Sequence, residues 1–195
     1  MSIRTADSPL MNSVFLDRWS PRSFSDEPVT NEQLDAIFEA ARWSPSWMNN
    51  QPWIFAYDTD GAGREPILNT FMEFNRGWAS AAPVVGLVLA KTDLEGFMSR
   101  TRDFDTGAAM MSLALQATML GLSVHLLGGI EIDAAYEVTG ADRETTEILC
   151  GFVLGHRGVI SALPESLQVK EVASDRKPVS DFAFRGGRIT ETPAS

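Results

Sequence analysis

The sequence predicts one α+β or α/β domain, and three observations lead there. Four short apolar runs of strand length, Trp53 to Tyr57, Val84 to Ala90, Ser123 to Leu127 and Glu147 to Leu154, are interspersed with segments of helical period. The chain has 195 residues, 44% of them hydrophobic and 22% charged, which is the make-up of an ordinary globular protein with a sizeable core. Proline or glycine punctuates the boundaries, at Pro28, Pro52, Gly121 and Gly140.

The elements follow in order. Thr30 and Gln33 form a capping box, and Leu34, Ile37, Phe38 and Ala41 repeat at helical spacing, giving a helix through Arg42. Trp53 to Tyr57 is short and aromatic, bounded by Pro52 and the Gly61-Ala62-Gly63 turn, and reads as a strand; Val84 to Ala90 is a second. Asp105 to Leu120, rich in Ala, Met and Leu on nearly every side and closed by Gly121, reads as a buried central helix with a core shared between subunits. A helix at Ile132 to Val138, stopped by Gly140, separates the last two strands. From Leu163 to Ser195 no period is strong enough for a core of its own, so this stretch is an arm or disordered, and residues 1–11 are read as a flexible N-terminus of a single domain spanning 1–195.

Composition excludes several function classes. With 26 acidic and 16 basic residues the net charge is −10, so no general basic field exists to bind nucleic acid or an anionic membrane, and any phosphate must be held by a local cluster. The longest apolar run, Ala81 to Ala90, is half the ~20 residues a membrane span needs. No apolar signal region opens the chain, and a cytoplasmic protein is expected. The single cysteine, Cys150, sits in an apolar setting and reads as core. Two histidines, with no His-Glu-x-x-His and no Cys-x-x-Cys, argue against a metal site. Neither a Gly-x-Ser-x-Gly elbow nor a P-loop occurs, and Gly61-Ala62-Gly63-Arg64-Glu65-Pro66 lacks the third glycine of a dinucleotide fingerprint.

Three local features carry chemistry. In Arg18-Trp19-Ser20-Pro21-Arg22-Ser23-Phe24, two arginines and a serine stand close together, which suits a phosphate or, equally, ion pairs with Asp17 and Asp26. The stretch Trp43 to Trp53 is a polar turn dense in tryptophan, fitting either a flat heterocycle or a packed loop whose amides satisfy the backbone. Gly128-Gly129 at a strand end lets main-chain N–H groups approach a ligand, or forms a plain turn.

Together and in this order, these segments resemble the FMN-dependent nitroreductase family, from about Arg18 to Arg176. The family's Arg-x-Ser-x-Arg/Lys-x-Phe stands here as Arg18, Ser20, Arg22 and Phe24. Its Ala-Arg-x-x-Pro-Ser-x-x-Asn-x-Gln-Pro-Trp stands as Ala41-Arg42, Pro45-Ser46, Asn49 and Gln51-Pro52-Trp53. A family asparagine ahead of the Ala-Pro-Val strand matches Asn75, the glycine-bearing strand end matches Gly128-Gly129, and a basic pair before a proline is matched by Arg176 and Pro178.

The resemblance implies an α+β, three-layer fold with a central mixed, mostly antiparallel sheet flanked by helices. It further implies a homodimer with an extended C-terminal arm and FMN in two clefts at the interface. Arg18, Ser20 and Arg176 would then hold phosphate and ribityl oxygens, and Arg22 would place a fixed charge near the pyrimidine edge. Asn75 would bond that edge, the Gly128-Gly129 backbone would face flavin N5, and Pro45, Ser46 and Asn49 would reach the partner's flavin. Trp47, Met48, Phe71 and Phe74 are assigned to the apolar wall of the substrate cleft, with a core role equally open for Phe71. Some members carry lysine where Trp78 and Ser174 stand here, with Lys177 close by, and Gly128 offers neither the lysine nor the glutamate that would shape the substrate side.

The implied reaction is ping-pong: NAD(P)H stacks on the flavin, gives hydride to N5 and leaves, and an electron-poor acceptor such as a nitroaromatic or quinone takes its place. No acid–base side chain is needed in the first half, since the protein's task is to hold nicotinamide C4 and flavin N5 at about 3–3.5 Å. A relative with a specialised redox substrate, by desaturation or dehalogenation, and a non-catalytic flavin-storage protein are the alternatives. The sequence does not distinguish NADH from NADPH.

Overall fold

The computed structural model describes residues 4–93, 101–187 and 189. After a single helical turn, α1 (Val14–Asp17), the Thr30 capping box forms as expected. Thr30 Oγ1 accepts from Gln33 N at 3.2 Å, the Gln33 side chain accepts from Thr30 N at 2.9 Å, and α2 (Asn31–Arg42) follows. The chain continues through β1 (Trp53–Asp58), α3 (Arg64–Asn69), α4 (Glu73–Ala79), β2 (Val84–Lys91), α5 (Arg102–Met119), β3 (Ser123–Leu127), α6 (Ile132–Thr139), β4 (Thr146–Gly155) and α7 (Glu165–Gln168). Gly140 caps α6 at φ 63°, a left-handed conformation that glycine adopts without the clash of a Cβ.

The strand order is β1-β2-β4-β3 and every pairing is antiparallel, with Trp53 opposite Ala90, Val84 opposite Leu154 and Val124 opposite Leu154. The resemblance implies a mixed sheet; the described strands contain no parallel pair. Alternation along β2 splits the core into two layers. Val85, Leu87 and Leu89 face Ile67, Leu68, Phe71, Trp78 and Ala135, while Val84 and Val88 face Ile37, Leu113 and Ala117. Helices α3, α4 and α6 therefore cover one face and α2 and α5 the other, which makes the three layers.

Differences from expectation have local causes. Helices α3 and α4 have no counterpart among the sequence-predicted elements, because six and seven residues are too few to show a helical period and Pro66 and Gly77 read as breakers. Pro66 falls in the first turn of α3, where its missing N–H costs no helical bond. The central helix α5 is buried on one side only in the single chain, leaving Phe104, Met111 and Met119 exposed. Beyond β4 the buried Leu163 and Glu171 tie the C-terminal segment to the body, and most residues from Val172 to Gly187 are exposed. Residues 1–3 of the expected N-terminal segment, and 188 and 190–195 of the expected arm, lie outside the described residues. No helix among the described residues is long and apolar enough to cross a membrane.

Candidate functional site

Arg18 leaves α1 in extended conformation, and its half-buried side chain lines a cavity of about 940 Å³. Arg176 and Lys177 from the other end of the chain line the same cavity, together with Arg4 and the apolar side chains of Phe15, Met111 and Phe182. Arg176 Nη1 donates to Ser174 Oγ at 2.9 Å and to the carbonyls of Asp175 and Ser174 at 2.8 and 3.2 Å. Burial first, then the charges of Arg176 and Arg4, hold the Arg18 guanidinium below its ordinary pKa. Arginine remains charged at neutral pH, so the cations Arg4, Arg18, Arg176 and Lys177 outnumber the carboxylates of Asp7 and Asp175 that line the same cavity.

From Arg18 the chain runs to the sheet edge as a loop that carries Ser20 and Arg22, and two side chains pin that loop from below. Glu171, 4% exposed, accepts from Arg22 N at 2.7 Å (Oε1) and 3.0 Å (Oε2), and from Ser23 N at 2.8 Å. His125 of β3 donates from Nδ1 to Pro21 O at 2.8 Å, and its ring packs 4.6 Å from that of Trp78 in α4. Burial is the main cause that pushes the His125 pKa down; Pro21 O and Glu171 oppose it and the Arg22 charge reinforces it. Trp78, where some family members carry lysine, is thus buried packing that joins α4 to the loop.

Asn75 in α4, 8% exposed, donates from Nδ2 to Gly129 O at 3.2 Å, and Met72 N donates to the same carbonyl at 3.0 Å. A Cβ on Gly129 would lie 2.6 Å from both Asn75 Nδ2 and Phe74 Cζ, so only glycine lets these side chains close on the strand end. Gly128 has open space beside it. Phe74 is 68% exposed beside this pair, whereas Phe71, at 1% exposure, packs against Leu127 and Gly151 inside the core. Phe71 is thus a core side chain, the second of the two roles the sequence leaves open for it and not the cleft wall, because its bridge to Ile130 turns that short stretch inward.

Pro45, Ser46, Trp47, Met48 and Asn49 form a separate turn packed on α5. Trp47 N donates to the buried Asp105 Oδ2 at 3.0 Å, and Ser44 Oγ bonds Ser112 Oγ at 2.7 Å. Ser46 Oγ accepts from Gln51 N at 2.9 Å. Met48, Asn49 and Gln51 all adopt positive φ, 51°, 58° and 48°, a conformation disfavoured for side chains with a Cβ and concentrated at functional turns. Trp47 and Met48 are exposed. None of these five residues lines the arginine cavity, so the single chain brings together Arg18 with Arg176 and Asn75 with Gly129, and leaves the turn apart.

Sequence reasoning missed Arg4, Glu171 and the joint made by His125 and Trp78. Arg4 and Glu171 lie in segments without period, and no spacing rule links residues 170 or 149 positions apart. Among the described residues no group of three or more His, Cys, Asp or Glu is placed to hold a metal.

Comparison with known proteins gives four matches of note. The model of the nitroreductase family matches residues 16–77. A solved structure described as an oxidoreductase containing FMN is 36% identical, superposes with a TM-score of 0.92 and covers 98% of each chain. A Streptomyces coelicolor protein, provisionally named an NADH dehydrogenase/NAD(P)H nitroreductase, is 28% identical over 153 residues, 71% of this chain and 76% of that one. A Desulfovibrio desulfuricans protein solved with FMN shares the fold at a TM-score of 0.72 and 22% identity, over 97% of this chain and all of its own.

Proposed function

The chain belongs to the nitroreductase family, and on that premise we propose that it is an FMN-dependent oxidoreductase that takes its electrons from NAD(P)H. The observation that carries this reading is the meeting of Arg18 and Arg176, from opposite ends of the chain, in one cavity. The residues fit the cofactor in two respects. Guanidinium forks are the donors a phosphate dianion requires, and at the strand end Gly128 has open space beside it, so its main chain can be approached closely by a ligand.

FMN, when bound, supplies the redox chemistry, two electrons and a proton passing as hydride from the nicotinamide and then onward to an electron-poor acceptor, a nitroaromatic, quinone or similar compound, in ping-pong order. The protein's residues bind, orient and stabilise. Arg18 and Arg176 would hold the phosphate end, with Ser20 on the ribityl side. Arg22, whose main-chain N–H is fixed by Glu171, would set a positive charge near the pyrimidine edge and so favour negative charge on the ring. Asn75, oriented by its bond to Gly129 O, would hydrogen-bond the same edge, and the Gly128-Gly129 main chain would lie on the N5 side of the ring.

The turn at Pro45, Ser46 and Asn49 serves the flavin of a partner subunit. Its distance from the arginine cavity is accounted for by a homodimer in which the exposed apolar stripe of α5, Phe104, Met111 and Met119, packs against its copy. Trp47, Met48 and Phe74, all exposed, supply the apolar wall for the acceptor, with Phe71 withdrawn to the core. No general acid or base is assigned, since hydride transfer depends on positioning.

The test is retention of the cofactor. Arg18→Ala removes a charged hydrogen-bond donor, a loss of about 1.5–3 kcal/mol in FMN binding. Flavin content after exhaustive dialysis should fall well below that of the wild type, and equal content in the two would overturn the role of Arg18.

A further inference from the structure

The two arginines that face the cavity come from segments that no strand pairing joins. Arg18 follows α1, and Arg176 sits in the C-terminal segment beyond α7. One side chain spans the gap between them. Arg4 Nε donates to Ser174 O at 2.8 Å, and Arg4 Nη1 donates to Arg18 O at 2.9 Å and to Leu16 O at 3.3 Å. The Ser174 carbonyl also accepts from Arg176 Nη1 at 3.2 Å, so a single oxygen is shared by Arg4 and Arg176. Arg4 thereby bonds the main chain of Arg18 with one nitrogen and the acceptor that orients Arg176 with another.

We propose that Arg4 is a positioning residue for anion binding, a clasp that sets the spacing of Arg18 and Arg176 so that both point at one phosphate. This rests on the reading of the cavity as the site of the FMN phosphate. A planar fork suits the task, because its donors leave the guanidinium in fixed directions and reach carbonyls on two separate segments. A lysine ammonium carries the same charge on a flexible stem without that fixed geometry. Without the clasp the two segments are tied separately, and a dianion must order them on binding, which weakens affinity for the phosphate and not for the ring. The charge of Arg4 adds to the field in the cavity, and its place in the lining means the field and the geometry are supplied by one residue.

The two contributions separate by experiment. Full-length wild type, Arg4→Ala and Arg4→Lys are stripped of flavin and titrated with FMN and with riboflavin, which has the ring and ribityl chain but no phosphate. Flavin fluorescence gives the Kd values, and circular dichroism confirms that each variant is folded. Both variants should bind FMN at least tenfold more weakly than the wild type, with riboflavin affinity within about twofold, as expected for losing charged hydrogen bonds that act only on the phosphate. FMN affinity unchanged in Arg4→Ala overturns the inference, as does equal weakening for FMN and riboflavin, which is the mark of a merely structural role. Full recovery in Arg4→Lys overturns the clasp in favour of charge alone. A wild-type protein that takes up neither flavin overturns the flavin reading and the clasp together, whereas strong FMN binding that is indifferent to residue 4 removes only the clasp.

Discussion

Replacing Glu171 by alanine tests whether the C-terminal segment is built into the site. Its buried carboxylate is the acceptor for the main-chain N–H groups of Arg22 and Ser23, at 2.7–3.0 Å, and the methyl of alanine offers neither. A buried donor left without a partner costs about 1–3 kcal/mol, so two cost about 2–6 kcal/mol. Arg22 is partly exposed and water can reach its N–H, which puts the expected loss at about 2–4 kcal/mol. Against a typical total of about 5–15 kcal/mol this is a large fraction. Urea denaturation at fixed protein concentration measures it, and Glu171→Gln, which keeps one acceptor oxygen, should lose less. Amide exchange at Arg22 and Ser23 should accelerate in Glu171→Ala. Stability within about 0.5 kcal/mol of the wild type, with unchanged exchange at both amides, would refute the part given to Glu171 in pinning the loop.

Gly129→Ala drives a methyl into Asn75 and Phe74, so a strain of about 1–3 kcal/mol should displace them and reduce FMN affinity in a protein that remains folded by circular dichroism; undiminished affinity would contradict the place given to this strand end. His125 has a lowered pKa in the folded chain, so the stability it contributes is full above the unfolded value of ~6.5 and is lost as pH falls from there through the folded value. The thermal midpoint should therefore drop more steeply between pH 7 and 5.5 in the wild type than in His125→Gln, whose amide can still donate to Pro21 O; parallel curves would refute the assignment.

Much of the scaffold was legible because it obeys simple periods. The Thr30 capping box, the four strands and the Gly140 stop of α6 stand within a residue or so of where the pattern puts them, since each is decided by contacts a few residues apart or by alternation across a buried sheet. Helices α3 and α4 were illegible for the opposite reason: they are short, and their burial depends on Leu87, Leu89 and Val153 from distant strands. At the site, the family resemblance and not spacing points to Arg18, Asn75 and Gly129, and the structure joins Asn75 to Gly129 and Arg18 to Arg176. The sequence does not decide that Phe71 turns inward while Phe74 stays out, because two apolar residues three apart in an unrecognised turn and helix start give no face. The supports of the site, Arg4 and Glu171, bond main-chain groups of remote segments, and such partners leave no local signal.

The central claim is that this chain holds FMN and reduces it with a nicotinamide nucleotide. An absorption spectrum of the purified, FMN-loaded protein, followed under anaerobic conditions by addition of NADH and then NADPH, tests it most directly. The account predicts a flavin spectrum that bleaches with one or both nucleotides and returns when an electron-poor aromatic acceptor is added. A colourless protein that refuses added FMN, or a bound flavin that neither nucleotide bleaches, would contradict it.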